Sequence, residues 1–209
     1  MRIDRQKLIE LNSFHFHIND RTNQILCIIM TILLIMYSVV GLIMFSVFEA
    51  YNAPMFIAAN AVWLVVAMVV LLKYTRSPYV VIALYMTVIA TDRILSWINE
   101  IYLGAAAWDD VLEIVMAAWM FISGVRAVVG RLFSRFPMIL STAVFIILDF
   151  VYEVPYYIEA LEHLSDFVMG AYISSVLRLL LYFLLIALLL CNGNPERKGR
   201  TIAEWTSGS

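Results

Sequence analysis

The sequence predicts an all-helical, polytopic membrane protein: a bundle of six transmembrane helices with both ends on the cytoplasmic side. Three observations predict it. Apolar residues make up 63% of the 209-residue chain and charged residues only 14%, against about 45–50% and about 25% in soluble domains. Mean hydropathy is +0.88. The apolar residues fall in six continuous runs, each near the roughly 20 residues that a membrane-crossing helix needs. Barrel strands would alternate in polarity over about 10 residues, and these runs do not. The composition excludes a soluble enzyme, a disordered chain and a nucleic-acid binder.

Residues 1–24 form an arm before the first run. Asp4 offers an N-cap to a short helix with Leu8, Ile9 and Leu11 on one side. Its Arg and Lys suit the inner leaflet of the lipid bilayer. His15-Phe16-His17 reads as an interfacial aromatic stretch, because no further metal ligands accompany the two histidines. A cleavable leader is not expected, since the first run is too long and too far from the start.

The six runs, residues 25–191, are Ile25–Phe48, Pro54–Leu72, Tyr79–Tyr102, Trp108–Val129, Pro137–Tyr157 and Phe167–Cys191. Residues 192–209 are a polar tail that opens on the helix stop Asn-Gly-Asn-Pro. Threading six helices puts twelve of the fourteen basic residues on one side: the arm, the second and fourth connections, and the tail. The opposite connections carry only acids, among them Glu49, Asp109, Asp110, Glu159, Glu162 and Asp166. Basic loops stay in the cytoplasm, so both termini are expected there. Cys27 and Cys191 fall at the cytoplasmic ends, where thiols stay reduced.

Ionisable groups inside a bilayer cost about 2.5–3.5 kcal/mol each on insertion scales and usually carry function. The third helix has Asp92, Arg93, Asn99 and Glu100. At about 100° per residue, Asp92 and Asn99 share one face and Arg93 the next. The fourth helix brings Glu113 one turn in. The fifth has Asp149 and Glu153 one turn apart, with Tyr156 and Pro155 beside them; the proline is expected to kink the helix there. The sixth has Arg178 near its middle, and the second adds Asn60. Asp149 and Asp92 are the expected partners of Arg178, and Glu113 or Glu153 of Arg93. The surplus of acids predicts a wet, acidic vestibule open to the outside, able to concentrate cations.

These residues favour a carrier, channel or solute-binding subunit for a cation or cationic small molecule. Asp149 and Glu153 are the expected binding or proton-carrying groups, Asp92 assists, and Arg178 is the counter-ion. The size and orientation resemble those of substrate-binding subunits of energy-coupling transporters, in architecture only, and imply a membrane partner subunit or a homo-oligomer. Two other classes stay open: a six-helix receptor input module, and a structural subunit of a larger complex. Eight glycines argue against the broken helices of alternating-access carriers. No catalytic motif, metal-ligand set or cofactor fingerprint occurs.

Overall fold

The computed structural model describes residues 16, 18–47, 53–104, 108–128, 135–148, 150–151, 158 and 166–192, without the side chains of 108–110, 127–128, 135–137 and 166–168. Six helices run through the described residues, with no strand among them. They are α1 Asp20–Val47, α2 Ala53–Lys73, α3 Pro78–Leu103, α4 Trp108–Val128, α5 Arg135–Leu148 and α6 Asp166–Cys191. Four of them, α1, α2, α3 and α6, contain stretches long and apolar enough to cross a membrane.

α1 begins at Asp20, five residues before the first apolar run. Asn19 explains the early start. Its Oδ1 accepts from the Arg21 backbone N–H at 3.2 Å, and its carbonyl accepts from the Asn23 N–H at 3.0 Å. Asp20 adds a negative charge at the positive end of the helix dipole. The link from α2 to α3 is the tight turn Tyr74–Ser77, closed by Ser77 N–H to Tyr74 O at 2.9 Å. Pro78 then starts α3 where its missing N–H costs nothing. α3 ends at Gly104, whose positive φ of 69° lets its N–H return to the carbonyls of Glu100 and Ile101.

α5 is described over the 14 residues Arg135–Leu148, and beyond it Phe150 and Val151 take the wider π winding. Pro155 follows four residues later in the sequence.

α3 is the central helix. It packs most extensively on α4, and also meets α1, α2 and α6. From Val81 to Ala90 every residue except Thr87 is buried. α1 buries a narrower stripe, Cys27, Met30, Thr31, Leu34 and Tyr37, at the i, i+3, i+4, i+7 spacing of one helix face. Small residues set the close approaches. Gly124 of α4 sits so near α3 that a Cβ there would lie 3.1 Å from the Ala83 carbonyl oxygen. Gly41 of α1 makes room for Asn60 of α2, whose Oδ1 would be 2.6 Å from a Cβ.

The start of α1 and the end of α6 lie side by side. Asn23 and Asn192 exchange two amide hydrogen bonds, at 2.7 and 3.0 Å. The Phe16 N–H donates to the Leu190 carbonyl at 2.9 Å.

Candidate functional site

α3 carries the polar centre of the bundle at Thr91-Asp92-Arg93. Consecutive helical residues point about 100° apart. Asp92 therefore turns toward α1 and α2, while Arg93 turns toward α4, α5 and α6.

On the first side, the Tyr37 hydroxyl of α1 donates to Asp92 Oδ2 at 2.9 Å. Asp92 borders a partly open cavity with room for about one water molecule. Asp92, Tyr37, Thr91 and Asn60 supply its polar wall, and Phe56 and Trp63 its aromatic wall. Val88, Leu95 and Ala59 complete it. Two of the polar neighbours are tied to their own helices. Thr91 Oγ1 donates to the Thr87 carbonyl at 2.7 Å. Asn60 Nδ2 donates to the Phe56 carbonyl at 2.9 Å. Each keeps an oxygen lone pair. Phe56 is stiffened from behind by Phe45 of α1, with centroids 4.5 Å apart and planes 11° apart. Among the described residues Asp92 forms no ion pair, and its Oδ1 carries no hydrogen bond.

On the second side, Arg93 is only 9% exposed and is closed in. Its Nη1 meets Glu113 Oε2 of α4 at 3.1 Å. Its Nη2 donates to the Tyr182 hydroxyl of α6 at 3.2 Å. Its guanidinium carbon stands 5.4 Å from the centre of the Phe145 ring of α5. Phe145 in turn stacks on Tyr182 at 6.1 Å. One arginine thus joins four helices through an ion pair, a phenol and an aromatic face.

Arg178 of α6 is half-buried, near enough to the Tyr37 hydroxyl for its charge to act there, as the charge of Asp92 does. Of the two partners expected for Arg178, Asp149 lies outside the described residues, and Asp92 takes the Tyr37 hydroxyl. Of the two partners expected for Arg93, Glu113 holds it. Asp92 and Asn60 meet at the cavity, while Asn99 is half-buried and is not part of its lining. Asp149, Glu153 and Tyr156 lie outside the described residues, as do His15, His17 and most of the acidic connections.

Sequence reasoning missed Tyr37, Phe56, Trp63 and Phe145. Trp97 and Trp119 lie deep enough along their helices either to line a pocket or to face lipid; Trp119 is 51% exposed on α4, and neither lines the cavity. Two signals were there to find. Tyr37 puts the only phenol of α1 deep inside an apolar run. Trp63 sits in the middle of α2, away from the ends where aromatic belts form.

Comparison with protein-family models, curated proteins and solved structures finds no match to this chain.

Proposed function

We propose that this chain crosses the membrane six times with both ends in the cytoplasm, and binds a cation or cationic small molecule at Asp92 as a carrier, channel or solute-binding subunit. One observation carries the reading. Asp92 borders a cavity walled by aromatic faces, while the arginine beside it is already engaged by Glu113. A carboxylate that no ion pair neutralises among the described residues attracts positive charge in an apolar bundle, and ring faces add to that attraction.

The side-by-side amides of Asn23 and Asn192 support an even number of crossings. The positive-inside rule supports the cytoplasmic side for both ends. Asp149 and Glu153 remain part of the proposal, as acids next in line on the fifth helix. Arg178, near Tyr37, is the counter-ion proposed to hold the site's field when no cation is bound.

Uptake of monovalent cations into proteoliposomes under an imposed gradient, together with equilibrium binding in detergent, tests the proposal. Asp92→Asn is expected to lose at least tenfold in either readout. Asp149→Asn and Glu153→Gln alongside test whether the fifth helix shares the task. Binding and uptake unchanged in Asp92→Asn would sink the assignment.

A further inference from the structure

Resting on the cation-site reading, the geometry points to a narrower ligand class: a primary ammonium group on a small alkyl body, in preference to a metal ion or a quaternary ammonium. Three features of the cavity lead there. It has room for one water-sized group, the size of an NH3+ head and too small for a nitrogen with four methyl groups. Three of its lining residues, Asp92, Thr91 and Asn60, carry acceptor oxygens, and an ammonium head has three N–H donors to give. Asp92 Oδ1 is the first of these, since Tyr37 occupies Oδ2. The rest of the wall is Phe56, Trp63, Val88 and Leu95. Those faces suit the alkyl carbons, whose hydrogens share the positive charge and lie well on aromatic rings. The open mouth gives the body of the molecule a way out of the narrow part.

Metal ions fit less well. Among the described residues Asp92 is the one carboxylate in the lining, which leaves a divalent ion short of balancing charge. Among the described residues no group of three or more His, Cys, Asp or Glu gathers to hold a metal. Stripping a strongly hydrated ion needs many well-placed oxygens, whereas a largely aromatic wall suits a weakly hydrated organic cation.

Competition binding on the purified full chain tests this. Methylammonium, tetramethylammonium, potassium and magnesium are the probes, on the wild type and on Asp92→Asn and Trp63→Leu. The expected order is methylammonium first, with each of the other three at least tenfold weaker. Asp92→Asn is expected to remove methylammonium binding. Trp63→Leu is expected to weaken it about fivefold by removing one ring face. Tetramethylammonium, potassium or magnesium binding as tightly as methylammonium, with the binding lost in Asp92→Asn, would overturn the primary-ammonium inference and leave the cation site standing. Methylammonium binding that Asp92→Asn leaves intact would overturn both. The ligand order is read on the wild type, so it holds even if a variant fails to fold.

Discussion

Asp92 and Arg93 are neighbours in the chain and opposites in their surroundings. Asp92 faces an open-mouthed cavity and holds one phenol. Arg93 faces a closed, four-helix junction where a carboxylate, a phenol and a ring surround it. One turn of the central helix therefore divides into a side that borders a cavity and a side that ties four helices together. The division follows from helix geometry, because successive side chains diverge by about 100°. It also separates two kinds of mutational effect, and the separation can be tested.

The largest effect is expected on the closed side. Glu113→Ala removes the carboxylate that meets Arg93 Nη1 in the closed junction, and breaking such a buried pair costs about 3–5 kcal/mol. The melting temperature in detergent is expected to fall sharply. Little change there would mean that the pair does not hold the junction. On the open side, Asp92→Asn is expected to leave the melting temperature nearly unchanged while removing cation binding by tenfold or more, about 1.4 kcal/mol in binding free energy. Next comes Tyr37→Phe, which removes one hydrogen bond to Asp92. The expected loss is about 1 kcal/mol of stability, together with altered ligand affinity. The smallest effect belongs to the Asn23–Asn192 tie. Asn192→Ala is expected to cost about 0.6 kcal/mol, the average for polar ties between membrane helices. Its readout is faster hydrogen exchange confined to the start of α1 and the end of α6.

The helices themselves were legible in the sequence. Both ends of α3 and the C-terminal end of α2 fall within a residue of their apolar runs, because in such segments hydrophobic length and Gly or Pro stops decide together. α1 extended past its run because Asn19 and Asp20 cap and charge its first turn, and capping adds to hydrophobicity without depending on it. Asp92, Arg93, Glu113 and Arg178 stood out as charges in apolar surroundings. Their partners did not all do so. Tyr37, Phe56 and Trp63 are hidden among many apolar residues, and only the packing of α1 and α2 against α3 brings them to Asp92. The Asn23–Asn192 pair joins positions 169 residues apart, and no local pattern announces it. Depth along each helix could be counted, but the rotation of α1 that brings Tyr37 between neighbours could not.

The contrast between the two sides is tested most directly by accessibility to a small cationic thiol reagent, a methanethiosulfonate carrying an ethylammonium group. The background is Cys27→Ala with Cys191→Ala, which removes both native thiols. Leu95→Cys places a thiol in the cavity wall. Met120→Cys places one on α4 in the closed, fully buried core. The account predicts rapid labelling at position 95, slowed by methylammonium, and no labelling at position 120 in the folded protein. Equal labelling at both positions, or labelling at 95 that methylammonium leaves unchanged, would contradict it.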